Sequence, residues 1–241
     1  SAFWHGASAA QAWLGAYLFW IGLPIGALFL SLVHGLTGGR WGESLRPALL
    51  SMSGTLPLLT LFLLPVLFGA RQIFPWARAG GAGWLDLPFF EMRMIVYLAL
   101  WNGLALLVRR EGRPDGGLPQ ALAWPGLIVL FVTTSLAAFD WVMTLEPRWT
   151  STIFGLLVTA GWTVSALAAA ILMFIPLGMG GLAERLDTLA RLLLAMVALW
   201  AYLSAIQLIV IWESDLTAEI PWYLRRLSLI HISEPTRQAE I

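Results

Sequence analysis

Long uncharged runs divide this chain into segments of similar length. No Asp, Glu, Lys or Arg precedes Arg40, and four later gaps between charged residues hold 24, 24, 35 and 21 residues. A helix needs about 20 predominantly apolar residues to cross a bilayer. Together with a shorter third run, the pattern predicts an all-α membrane protein with six transmembrane helices, over residues 9–34, 47–70, 88–108, 121–139, 150–177 and 189–212.

The third predicted span is the one that contains charge. Only 15 uncharged residues separate Arg93 from Arg109, so this helix has to begin near Leu87 and to include Glu91 and Arg93. Charged side chains within a membrane are costly and usually pair with one another or face the protein interior. Glu91 is therefore a candidate intramembrane site, and an interfacial ion pair between Glu91 and Arg93 is the alternative.

The composition indicates lipid as the solvent. Hydrophobic residues make up 59% of the chain and charged residues 12%, whereas soluble domains carry about 25% charged residues. Cysteine is absent, which excludes disulfides and thiolate ligands. A haem held between helices usually needs a pair of His ligands, and His34 is the single His in a predicted span. We therefore expect no haem or metal centre in this chain, and no basic block indicates a nucleic-acid partner.

The connection between the fourth and fifth spans concentrates charge. FDWVMTLEPRW (139–149) places Asp140, Glu146 and Arg148 among large apolar side chains. One interpretation is a solvated turn, because charges at a membrane interface cost little. The other is a group that handles protons or a ligand at the membrane face, for which Asp140 at the end of the fourth span is the best candidate.

A second polar segment follows the first span. HGLTGGRWG (34–42) is rich in glycine, but it has no Lys after it and does not follow a strand, so it is not a phosphate-binding loop. It predicts a tight turn that ends the helix, with Arg40 and Trp41 at the interface. The Arg cluster in RREGRPDGG (109–117) favours a cytoplasmic position for the odd-numbered connections, which would place FDWVMTLEPRW on the outer face.

Several motifs together resemble one family. FDWVMTLEPRWTST (139–152), HGLTGGRWG (34–42), RQIFPWA (71–77) and EIPWYLRR (219–226) are similar to the quinone-module membrane subunits of alternative complex III, a quinol:cytochrome c oxidoreductase. The resemblance is closest to the second of the two polysulfide-reductase-like subunits, and it extends from Trp13 to Arg226.

The resemblance implies two four-helix bundles, of which this chain would hold the first and the start of the second, with both ends truncated. It implies a bacterial inner-membrane complex with a sister quinone-module subunit, an iron–sulfur subunit and a multihaem cytochrome. Quinone or quinol would be the only cofactor that this chain meets. The candidates for a quinone or proton path are Asp140, Glu91, Glu146, Arg148 and His34, although the family pattern reads Asp-Pro-His where this chain has Glu-Pro-Arg.

Two other functions fit the same pattern. A secondary transporter is favoured by helices interrupted by proline and by carboxylates within the membrane. A purely structural membrane scaffold would tolerate neutral substitution of Asp140 and Glu91. A transporter works as an isolated chain, whereas a subunit of the complex is purified together with haem-bearing partners.

The last residues differ in composition from the rest. LSLIHISEPTRQAEI (227–241) holds three Ile in 15 residues, against 12 in the preceding 226, and it resembles translated sequencing-adapter read-through. We therefore divide the chain into a membrane domain, 1–226, and a non-native tail, 227–241, whose His231 and Glu234 are given no role.

Resequencing the gene from its source tests this division. We expect the natural reading frame to diverge from the present sequence after Arg226. An independent copy of the gene that encodes LSLIHISEPTR at this position would contradict the prediction.

Overall fold

The computed structural model describes residues 9–112, 117–146, 149–175 and 182–214. These residues contain helices and turns and no strand. The helices are α1 (Ala9–Thr37), α2 (Arg40–Ser53), α3 (Leu56–Leu61), α4 (Leu64–Phe68), α5 (Ala70–Ile73), α6 (Pro75–Ala79), α7 (Leu87–Glu111), α8 (Gln120–Trp141), α9 (Phe154–Phe174) and α10 (Leu182–Ser214). Short 3-10 turns span Gly83–Leu85 and Met143–Leu145.

Six helical segments of the described chain are long and apolar enough to cross a membrane, so the all-α membrane fold with six spans is confirmed. The third helix begins at Leu87, as its charge pattern requires. Three other starts differ from the prediction. The second and sixth helices begin earlier, at Arg40 and Leu182, because a helix continues past the membrane edge into charged residues. The fifth begins later, at Phe154, because Thr152 and Ile153 form a turn before it.

The second span is a chain of short helices. Pro57 and Pro65 each occupy the first turn of a new segment, in α3 and α4, because proline has no N–H for the preceding turn. Backbone bonds such as Gly54 N to Leu50 O (3.0 Å) and Leu67 N to Leu63 O (3.1 Å) bridge the breaks. The predicted helix over 47–70 is therefore interrupted, while backbone hydrogen bonds continue across the breaks.

Helix α1 is the centre of the molecule. It packs on α2, α8 and α9, and its interface with α9 is the most extensive between any two described helices. In the most apolar part of α1, 56% of residues are buried, against 11% for α10. Gly22 and Gly26 face α9 so closely that a Cβ on either would overlap Trp162. The small residues thus set the approach of the two helices, as their spacing indicates.

Helix α9 is not separate from the first four spans, since it packs on both α1 and α8. Helix α10 is the least buried of the six spans among the described residues. It contacts α9 and part of α2, and Leu194 and Tyr202 are exposed. The tail, 227–241, and the motif EIPWYLRR lie outside the described residues.

Candidate functional site

Asp140 lies at the centre of a buried polar cluster where α7 begins and α8 ends. The two helices are antiparallel neighbours, so the first turns of α7 lie beside the last turn of α8. Asp140 is fully buried and Arg93 is 6% exposed. Both are therefore intramembrane or boundary charges that the protein itself encloses, which is the arrangement that a membrane requires of them.

Arg93 and Asp140 form a bidentate ion pair. Arg93 Nε donates to Asp140 Oδ2 and Arg93 Nη2 donates to Asp140 Oδ1, both at 2.9 Å. Tyr97 Oη, one turn along α7, donates to Oδ2 at 2.9 Å, and Trp84 Nε1 donates to Oδ1 at 2.9 Å. Asp140 is the acceptor in all four hydrogen bonds. Planar guanidinium groups match carboxylates in this geometry, so the pair is directional as well as charged.

The turn before α7 covers the cluster. Arg93 Nη1 donates to the carbonyl of Trp84 at 2.9 Å, and the guanidinium carbon lies 4.1 Å from the centre of the Trp84 ring. A second ring, Phe89, lies 4.6 Å away. Asp86 caps α7 by accepting from Phe89 N. The 3-10 turn Gly83–Leu85 therefore holds a ring over the charge and shields it from the apolar surroundings.

The aromatic core lies directly beneath the cluster. Trp141, next to Asp140, is fully buried and contacts Tyr17, Tyr97 and Trp101, with ring centres 5.7–6.4 Å apart. Trp141 lies on the inner side of α8, where it packs against α1 and α7.

The other predicted site residues do not join this cluster. Glu91 is half-buried, and the contacts of Arg93 and Asp140 among described residues do not include it. The predicted alternative pair of Glu91 with Arg93 is therefore replaced by the pair of Arg93 with Asp140. Glu146 is half-buried in the turn after α8, and Arg148 lies outside the described residues.

His34 belongs to the opposite end of the molecule. Tyr17, which packs on Trp141, and His34 are about 25 Å apart along α1 at the helical rise per residue. His34 Nε2 lies 2.8 Å from the carbonyl oxygen of Gly39, and its ring meets Trp41 edge to face at 5.1 Å. Gly38 and Gly39 have positive φ values of 65° and 99°, so HGLTGGRWG is the tight turn that its composition indicates.

A cleft of about 480 Å³ opens near the end of α8. Phe139 and Met143 form one wall, the turn at Ser151 and Thr152 forms the edge, and α10 contributes Gln207. Gln207 is 2% exposed, and neither of its amide atoms has a hydrogen-bond partner among the described residues. Such a buried amide costs free energy unless something satisfies it.

Sequence reasoning did not identify Trp84, Tyr97 or Gln207 as site residues. A signal for Tyr97 exists, because a charge such as Arg93 within a span needs a partner, and antiparallel packing brings the end of the next helix beside it. The polar groups near that level are then Asp140 and Tyr97. Gln207 gives no such signal, since one amide in an apolar run is uninformative until the helix packing is known.

No protein-family model matches the chain, and no curated protein shows significant sequence similarity to it.

Proposed function

We propose that this chain is a membrane subunit of a quinol:cytochrome c oxidoreductase of the alternative complex III type, contributing to its quinone and proton module. The observation that best supports this proposal is the buried cluster around Asp140. FDWVMTLEPRWTST is one of the motifs on which the resemblance rests, and Asp140 within it is fully buried and paired with Arg93. An enclosed charge pair in a membrane span is a functional candidate by default.

Asp140 has a positioning role in this proposal. It accepts from Trp84, Tyr97 and two nitrogens of Arg93, so both of its oxygens are occupied by donors. Thr144 Oγ1 also donates to the backbone carbonyl of Asp140 at 2.6 Å. The cluster therefore connects the start of α7, the turn before it, the end of α8 and the turn after it. This fixes the surface formed by those turns, to which a redox partner would attach.

A purely structural subunit is the second candidate, and the same cluster favours it. Donors on Arg93, Tyr97 and Trp84 satisfy both carboxylate oxygens of Asp140, and none of these three residues lines the cleft beside Gln207. The two candidate functions predict different effects of cluster substitutions on the turnover of the assembled complex. A subunit that takes part in quinol chemistry alters the turnover of each assembled complex when its cluster is changed, whereas a scaffold alters only how much complex assembles.

Purification from native membranes tests the proposal. The tagged chain, extracted in a mild detergent, is expected to bring with it a multihaem cytochrome, visible by its haem absorbance, and an iron–sulfur subunit. The purified complex is expected to reduce cytochrome c with a quinol as donor. Recovery of the chain without haem, together with uptake of a solute by vesicles that hold the chain alone, would contradict the proposal and support a transporter.

Glu146→Gln supplies the matched control for turnover. Glu146 is a half-buried carboxylate in the same motif but outside the cluster around Asp140. Quinol:cytochrome c turnover is normalised to haem content for the parent and for Glu146→Gln, and we expect the two values to agree. The turnover per haem of Asp140→Asn is then compared with these two values.

A further inference from the structure

We propose that the cleft between the end of α8, the turn before α9 and the last turns of α10 is a binding site for one phospholipid whose head group carries hydrogen-bond donors. The inference stands apart from the assignment to a respiratory complex, because phospholipid surrounds any transmembrane protein.

The buried amide of Gln207 is the first reason. Gln207 is one of the residues that line the cleft and is 2% exposed, and its Nε2 and Oε1 atoms are enclosed and lack a partner among the described residues. Leaving one buried donor or acceptor unsatisfied costs about 1–3 kcal/mol, and here one donor and one acceptor are unsatisfied together. The terminal torsion of a Gln side chain has a broad range, so the amide can turn toward a molecule in the cleft.

The walls of the cleft are the second reason. Phe139, Met143, Ile206 and Val210 are apolar, whereas the hydroxyl-bearing residues Thr150, Ser151 and Thr152 belong to one segment, just before α9. A molecule that fills this space needs a long apolar part and a polar part at one end. A volume of about 480 Å³ is within the range of small-molecule sites, so the cleft can enclose part of a lipid.

The position along the membrane normal is the third reason. The cleft lies at the level where α8 ends and α9 begins, and Thr152 and Ile153 form the turn before α9. The ends of transmembrane helices lie near the polar boundary of the hydrocarbon core, where the ester and head groups of lipids are found. A phospholipid in the cleft would thus have its polar part beside Gln207 and its acyl chains along α10.

Hydrogen bonding at Gln207 determines which head groups fit. The described residues that line the cleft are all uncharged, so they offer a head group hydrogen bonds and no ion pair. Gln207 Nε2 donates to an ester or phosphate oxygen, which every phospholipid has. Gln207 Oε1 needs a donor, and the ethanolamine and glycerol head groups have one, whereas choline has none. Phosphatidylethanolamine and phosphatidylglycerol should therefore bind alike, and both better than phosphatidylcholine.

Native mass spectrometry of the full chain from nanodiscs of mixed lipids tests the inference. The wild-type chain is expected to retain one ethanolamine or glycerol phospholipid in preference to phosphatidylcholine by about threefold to tenfold, the factor that one hydrogen bond supplies. Gln207→Leu should abolish the preference. Gln72→Leu, the same change at an exposed residue, should leave it intact.

Folding is controlled separately. In lipid-free detergent, Gln207→Leu should unfold at a temperature no lower than wild type, because leucine removes an unsatisfied buried amide. Val210→Trp, at an exposed position on the cleft wall, should reduce retention for all lipids by filling the opening. Equal preference in Gln207→Leu and Gln72→Leu would overturn the inference. Selection of phosphatidylglycerol alone would also overturn it. The same holds if a quinone displaces the bound lipid and added phospholipid does not displace the quinone.

Discussion

Asp140→Asn is expected to lower the free energy of unfolding of the chain in detergent by about 3–5 kcal/mol, the cost of removing one partner of a buried ion pair. Asparagine retains one acceptor oxygen and presents an NH₂ group where Asp140 now accepts from donors. The guanidinium of Arg93, at 6% exposure, would then be a buried charge without a counter-charge. Denaturant or thermal unfolding, followed by Trp fluorescence, measures the effect.

Removing both charges should cost less than removing one. In Arg93→Met/Asp140→Leu the buried ions are replaced by apolar groups of similar length, which leaves Tyr97 Oη and Trp84 Nε1 as the donors to be satisfied. We expect the double variant to be more stable than Asp140→Asn, and the two single changes to be strongly non-additive, as residues in direct contact are. Glu146→Gln, outside the cluster, should change the free energy of unfolding by less than about 0.5 kcal/mol.

These variants also separate stability from turnover in the assembled complex. Asp140→Asn should reduce the amount of haem-bearing complex in membranes more than Glu146→Gln does, because fewer chains fold. If Asp140→Asn proves as stable as Glu146→Gln and assembles at the parental level, the ion pair with Arg93 does not stabilise the fold. A lower turnover per haem in that case would favour a direct role of Asp140 in proton transfer.

The number and order of the spans could be predicted because a bilayer imposes a minimum apolar length. That requirement is local in sequence, so gaps between charges such as the one before Arg40 reveal it directly. The exact ends could not be predicted in the same way. Helix formation does not stop at a charged residue, and α2 therefore begins at Arg40, before the apolar run starts. Pro57 is evident in the sequence, but the sequence does not show that the helix breaks there, since membrane helices accommodate many prolines.

The candidate site was only partly predictable, because burial depends on which helices are neighbours. Asp140 was identified from its place in the chain, but its enclosure requires α7 to lie alongside α8 with Arg93 at the same level. Glu91 is on the same helix as Arg93 and was the better candidate by depth alone. Its side chain has a different direction on the helix, and it is only half-buried. Direction around a helix cannot be inferred when every face is apolar, as it is in these spans.

Replacing Gly26 by alanine should destabilise the protein, whereas the same change at Gly15 should stabilise it. Both glycines are in α1. Nothing lies within 4 Å of a Cβ added at Gly15, so alanine there should stabilise the helix by up to about 1 kcal/mol through its better helix propensity. At Gly26 an added Cβ would overlap the backbone carbonyl of Trp162 and come within 2.7 Å of Ala166 Cβ. Backbone atoms cannot move aside alone, so α9 would have to shift away from α1.

The difference between Gly22 and Gly26 tests this argument more sharply. At Gly22 the added Cβ would meet the ring of Trp162, a side chain that can change its rotamer, whereas at Gly26 it meets main chain. We therefore expect stability to fall in the order Gly15→Ala, wild type, Gly22→Ala, Gly26→Ala, and a loss of about 1–3 kcal/mol or more at Gly26 from overpacking.

Thermal unfolding of the four proteins in one detergent gives this order, and a Cys pair placed across α1 and α9 reports separation of the two helices through its rate of crosslinking. Because α1 and α9 share the most extensive interface of the described helices, Gly26→Ala should slow crosslinking as well as lower stability. Equal stability of Gly26→Ala and Gly15→Ala would mean that α9 does not pack on Gly26 in the membrane. Helix α9 would then belong to a second bundle separate from α1, with its own partners.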